Sequence, residues 1–164
     1  MKTLRLGRLT SSDRASAGVY EDTGGIEIER HVGALFSEDT VEWHRVVLPD
    51  ELAQLEGALV SLVDEQGCAL VVTTGGTGPA PRDVMPEATR AVIERELPGF
   101  GEIMRARTFD LVPTSILSRA TAGVRGGCLI VNLPGRPSSV GECLAVIGDA
   151  IKKTLAILEM EYRG

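Results

Sequence analysis

The apolar positions of the chain follow two rhythms. Residues 4–10 alternate, 41–48 are β-branched, and 69–73 and 128–133 are near-continuously apolar, so four strands are predicted. Helical spacing fills the intervals. Residues 26–36 carry Ile26, Ile28, Val32, Ala34 and Leu35, and residues 50–64 set Leu52, Leu55, Leu59 and Leu62 on one face. Helices are also expected over 84–96, over 100–108 after the Pro98-Gly99 break, and over 139–161. Residues 111–127 fit neither rhythm. Strands without a polar face, alternating with helices, predict a mostly parallel sheet covered on both sides.

In such a sheet, ligands gather beyond the carboxyl ends of the strands. Here those ends are Ser12-Asp13-Arg14, Asp50, the stretch from Thr74 to Asp83, and the stretch from Asn132 to Ser139. The third is the most informative. An apolar strand runs into Thr73-Thr74-Gly75-Gly76-Thr77-Gly78, with Arg82-Asp83 at the far lip and a helix beyond. Such a turn brings backbone N–H groups close to an anion. It lacks the Gly-Lys-Ser/Thr of a P-loop, and Pro81 stands where a dinucleotide fingerprint closes with glycine or alanine. A phosphate-binding turn and a tight turn needed only for geometry are both open.

Composition narrows the class. The chain has 164 residues, 43% hydrophobic and 24% charged, which suits one domain over 1–164. A net charge of −6 argues against nucleic acid or anionic lipid as partner. No apolar run is long enough to span a membrane, and residues 1–10 hold no signal-peptide core. Cys68, Cys128 and Cys143 match no metal spacing and read as buried free thiols in a reducing cytoplasm.

Two carboxylates stand out. Asp50 and Asp83 both follow strand ends and precede helices. Each can be an N-cap, or both can face one crevice and hold Mg²⁺ with substrate phosphates. Ser139 and Glu142 have the Ser-x-x-Glu spacing of a capping box, at a helix start that also favours anions. Arg14, Arg82, Arg119 and Arg136 lie in or near these loops and can be surface residues or a local positive set. His31 and His44 fall inside a helix and a strand, away from every polar loop, and read as structural. Motifs for serine hydrolases, zinc proteases and thiol redox chemistry are missing.

The ordered set Ser12-Asp13-Arg14-Ala15-Ser16, Leu48-Pro49-Asp50, Thr73 to Gly78, Arg82-Asp83-Val84, Pro98-Gly99-Phe100, Ile116-Leu117-Ser118-Arg119 and Asn132-Leu133-Pro134-Gly135 resembles the molybdopterin adenylyltransferase family. That family includes bacterial molybdenum cofactor biosynthesis proteins and the gephyrin G domain. The resemblance spans nearly the whole chain. It implies a three-layer α/β/α fold, a trimer or hexamer, and transfer of AMP from ATP to molybdopterin with Mg²⁺, releasing pyrophosphate. A different protein then inserts molybdenum. It implies catalytic roles for Asp50 and Asp83, with Asp50 toward Mg²⁺. Substrate contacts are implied for Ser12, Asp13, Arg14, Thr74, Gly75, Gly76, Thr77, Gly78, Ser118 and Arg119, and for Asn132, Pro134, Gly135, Ser138, Ser139 and Glu142. Met85 replaces the threonine usual after Arg-Asp-Val, and Arg8 interrupts a strand that is usually apolar. The alternative is a paralogue that binds pterin or nucleotide without turnover. A nicotinamide-nucleotide deamidase relative is disfavoured by Arg82 before Asp83.

Overall fold

All four apolar runs become strands in the computed structural model, which describes residues 2–163, and two short strands join them. The elements are β1 (Thr3–Ser11), the single turn α1 (Asp13–Ser16), α2 (Thr23–Leu35), β2 (Thr40–Leu48) and α3 (Leu52–Val60), which widens into a π-helical turn at Ser61–Glu65. β3 (Leu70–Thr74), α4 (Met85–Val92), β4 (Arg95–Glu96) and α5 (Gly99–Thr108) follow. A 3₁₀ turn (Pro113–Leu117), β5 (Ala122–Arg125), β6 (Cys128–Leu133) and α6 (Pro137–Leu158) complete the order, with a last π-helical turn at Glu159–Arg163. No helix among the described residues is long and apolar enough to cross a membrane.

The sheet order is β2-β1-β3-β6-β5-β4. The first four strands are parallel, and β5 and β4 add an antiparallel edge. Central β3 and β6 are buried at every position, because successive side chains point to opposite faces and both faces are covered. Leu70, Val72, Leu129 and Val131 meet Ile28 and Val32 of α2, Met104 of α5 and Ile147 of α6. Val71 and Ile130 meet Leu55 and Leu59 of α3 and Ala88 of α4 on the other face. This is the three-layer α/β/α arrangement.

Two expectations change. The helix expected over 84–96 stops at Val92. Glu94 N–H donates to Val124 O and Leu97 N–H to Ala122 O, so pairing with β5 overrides local helix preference. Residues 111–127 hold the 3₁₀ turn and β5, which returns into β6 through Gly126-Gly127. Both glycines have positive φ, 50° and 83°, as a tight two-residue hairpin turn requires.

Arg8 is only 8% exposed. Its guanidinium pairs with Asp22, which also accepts from Thr10 Oγ1 and from the Gly25 N–H at the start of α2. The arginine therefore ties β1 to the helix above it. Glu29 also faces the guanidinium, at 3.4 Å, so Arg8 sits between two carboxylates of α2 and its N-cap.

Candidate active site

β2 lies on one side of β1 and β3 on the other, so the strand order reverses between β1 and β3, where α/β sheets bind ligands. β3 ends at Thr74, and Gly75 and Gly76 follow with φ of 89° and 69°. At Gly75 a Cβ would stand 2.2 Å from the Ser11 carbonyl oxygen, so the turn lies against the end of β1 with no room for a side chain. On its other side, Thr74 Oγ1 donates to Pro134 O at 2.7 Å, and Gly135 packs over Gly75. Three strand ends thus meet at one glycine pair. The backbone N–H groups of Gly76, Thr77 and Gly78 have no protein acceptor among the described residues. That is the arrangement an anion needs.

A cavity of about 390 Å³ opens on the β6 side of this turn. The size is that of a small-molecule pocket. Gly76, Thr77, Gly78 and Asp83 form one wall, and Pro134 and Gly135 with Ser139 and Glu142 of α6 form another. The third wall is the segment after α5, through Val112, Ser115, Leu117 and Ser118. Asp83 does not cap α4, whose N-cap is Val84. Its Oδ2 accepts from Ala80 N–H at 3.0 Å and closes the loop on itself. Ser139 and Glu142 do not form a capping box either. α6 starts at Pro137 with Arg136 as N-cap and no side-chain cap, so its uncapped end borders the cavity.

Asp50 stands outside that cavity, on the β1–β2 side. Its Oδ1 accepts from Ser11 Oγ at 2.5 Å and its Oδ2 from Asp13 N–H at 3.2 Å. Asp50 N–H donates in return to Asp13 Oδ1 at 3.0 Å. It does not cap α3, whose N-cap is Glu51. Arg82 donates to both oxygens of Asp13 and reaches Glu51 as well. Those hydrogen bonds, with help from Asp50 N–H, hold the Asp13 carboxyl below its ordinary value. Asp83 thus lines the cavity, whereas Asp50 is not among its lining residues and reaches the glycine turn through Ser11.

The four arginines do not form a common positive set. Arg82 belongs to the Asp13 latch. Arg119 donates to Gly78 O and Asp83 O and forks onto Glu87, so it braces the turn from outside the cavity. Hydrogen bonds from Arg119 pull the Glu87 carboxyl down, against a smaller upward effect of burial. Arg14 is exposed on α1 and only Arg136 lines the cavity. Asn132 is fully buried and also points elsewhere. It donates to Thr73 and Thr89 hydroxyls and accepts from Thr121 N–H, clasping β3 and β6 to α4. Ser12 caps α1 and meets the Tyr20 hydroxyl, and Ser138 is exposed beside the cavity mouth rather than in its wall. Of the two histidines, His31 meets Glu27 on α2 and His44 lies on β2 beside Glu42.

Sequence reasoning named Ser118 of the third wall but missed the rest of that wall and Cys143. Burial, with a smaller contribution from Glu142, pushes the Cys143 thiol up to about 11, so it stays neutral. Cys68, Cys128 and Cys143 are all buried.

The fold and this edge define a three-layer α/β protein with a ligand pocket built on a glycine turn. Comparison with known proteins then gives the family. A family model described as "Probable molybdopterin binding domain" matches residues 7–153, and the chain belongs to that family. It is 50% identical over 162 residues to the molybdopterin adenylyltransferase of Helicobacter pylori strain J99, covering 99% of this chain and 92% of that one. It is 50% identical over 150 residues to the enzyme of that name in Escherichia coli K12, covering 92% and 76%. The crystal structure of the molybdopterin biosynthesis enzyme MoaB from Thermus thermophilus superposes with a TM-score of 0.85 at 39% identity, covering 94% and 96%.

Proposed function

We propose that this protein is a molybdopterin adenylyltransferase of molybdenum cofactor biosynthesis, in which the terminal phosphate of molybdopterin attacks the α-phosphorus of ATP. The bond between that oxygen and phosphorus forms, the bond to the β-phosphate oxygen breaks, and pyrophosphate leaves. No side chain has to become a nucleophile, because the reaction asks mainly for positioning and charge neutralisation. The observation that carries the reading is the glycine turn with an aspartate in the cavity wall and a second one latched to the end of β1. Asp83 lies in the cavity wall, where the pterin would sit, and Asp50 is held rigidly by Ser11 and Asp13 beside the same turn.

Among the described residues no three metal-binding side chains gather. Asp50 offers only hard oxygen donors, which fits Mg²⁺ held by one carboxylate, water and substrate phosphates. Bound there, Mg²⁺ would neutralise the triphosphate of ATP. The N–H groups of Gly76, Thr77 and Gly78 would hold anionic oxygens, and the start of α6 would add its positive end.

A homotrimer or hexamer is part of this reading. An apolar groove along α5 and α6, through Leu97, Phe100, Ile103 and Val146, supports it. An odd number of cysteines at no familiar spacing suits the cytoplasm. The product would pass to a molybdenum-inserting protein.

The test is pyrophosphate release from ATP with Mg²⁺, measured with and without molybdopterin. Release that depends on molybdopterin is expected. Equal release in both, or none in either, overturns the assignment. Light scattering should give a multiple of the single-chain mass.

A further inference from the structure

One acid in the cavity has an oxygen the fold does not account for. Glu142 lies on the second turn of α6 and forms part of the cavity wall, yet its Oε2 is buried with no hydrogen-bond partner. Arg136 shares the wall but makes no ion pair with it among the described residues. Beside it the neutral Cys143 thiol supplies no positive charge. Buried acceptors are nearly always matched, and an unmatched carboxylate is costly. The torsion that turns the carboxylate is broad and two-fold, so either oxygen can turn toward the cavity.

We propose that Glu142 is the specificity residue of this cavity, its carboxylate accepting the paired N–H groups of a 2-amino-4-oxopyrimidine edge. The inference rests on the reading of the cavity as a pterin pocket. A carboxylate presents two acceptors in a fork and no donor. The ring N–H and the neighbouring amino group of a pterin present two parallel donors, the geometry that makes arginine–carboxylate pairs strong. An adenine edge offers one donor next to a ring-nitrogen lone pair, which would face the second carboxylate oxygen. Glu142 therefore admits the pterin and turns away the base of ATP, keeping the two substrates in separate places.

The probe is a matched pair, 6-hydroxymethylpterin and 6-hydroxymethyllumazine, which differ by an oxo group in place of the 2-amino group. Affinities are read by fluorescence titration and equilibrium dialysis. The protein should bind the pterin at least about tenfold more tightly, since a site built for a donor rejects the analogue that lacks it. Glu142→Gln keeps the shape but replaces one acceptor by a donor. It should weaken the pterin at least about tenfold and narrow or invert the preference, because the new amide can donate to the 2-oxo group. Glu142→Asp, with the charge kept and the reach shortened, should weaken the pterin without reversing the preference. Equal affinity of the parent for both probes, or a preference unchanged in Glu142→Gln, overturns the proposal. Molybdopterin-dependent pyrophosphate release that survives either result leaves the function standing. Its absence in the parent removes the function itself.

Discussion

Two acidic places border the same glycine pair and are built in opposite ways. On the β1–β2 side, Asp50, Asp13, Ser11 and Arg82 are joined by reciprocal hydrogen bonds, and each Asp50 oxygen already has a donor. On the β6 side, Glu142 keeps a buried oxygen without one, and Asp83 spends one bond closing its own loop. A saturated carboxylate is fixed in place and keeps lone pairs for a cation. An unsaturated one waits for a donor. The contrast suggests a division of labour in which one side holds the triphosphate end of the chemistry and the other selects the ring.

The strongest way to break this contrast is Asp50→Asn. Loss of the charge should lower pyrophosphate release by roughly 10²–10³-fold, with partial recovery at high Mg²⁺, while pterin affinity stays at the parent's value. A fall in pterin affinity of the same size would show that the two sides are one. Gly75→Ala attacks the shared boundary. A Cβ there meets the Ser11 carbonyl and the backbone must hold a positive φ, so stability should fall by roughly 2 kcal/mol. Thermal melting should then drop by about 6 °C, and binding should weaken on both sides together. Asp83→Asn should weaken pterin binding about tenfold, and added Mg²⁺ should not restore it, which titration at two Mg²⁺ levels would check.

The smallest effect concerns the brace behind the cavity. Glu87 is held below its ordinary carboxylate value by Arg119, so the folded chain binds this proton less readily than the unfolded chain. The pair therefore stabilises the fold above the ordinary carboxylate range, and that contribution is lost as pH falls through the lowered folded value. Both side chains are partly exposed, so solvent screening keeps it below about 1 kcal/mol. Glu87→Gln should flatten the acid limb of the melting curve slightly and leave the neutral plateau almost unchanged.

Much of the frame was legible in the sequence because it rests on apolar rhythm. Central β3 and β6 are near-continuous apolar runs, and their edges lie within one residue of expectation. The glycine turn was legible because its residue types allow few other conformations. Apart from Ser118, the third cavity wall was not, since a 3₁₀ turn and a four-residue strand leave too few positions for a period to show. The Gly126-Gly127 pair was the available signal for that hairpin. The side-chain roles were less legible still. Asp50, Asp83 and the Ser139–Glu142 pair all have the spacing of caps, and none caps. Spacing describes a residue's neighbours in the chain, whereas these carboxylates are governed by Ser11 and Asp13 for Asp50, and by the cavity for Glu142. Arg119 and Asn132 are expected as substrate contacts because the family resemblance implies them. Fixed partners hold both as fasteners, Asn132 in full burial and Arg119 partly exposed.

Arg119 carries one more implication. Its fork grips the carbonyls of Gly78 and Asp83 from the strand-side loop, while its own N–H holds Thr77 O. The glycine turn and that loop are thereby pinned like two leaves on a single rivet. Entry of a bulky guest cannot peel them apart without breaking several bonds at once. Any give in the chamber falls to the stretch before the rivet, where Leu111, Ile116 and Leu117 stand exposed, and the speed with which a guest comes and goes would be set there.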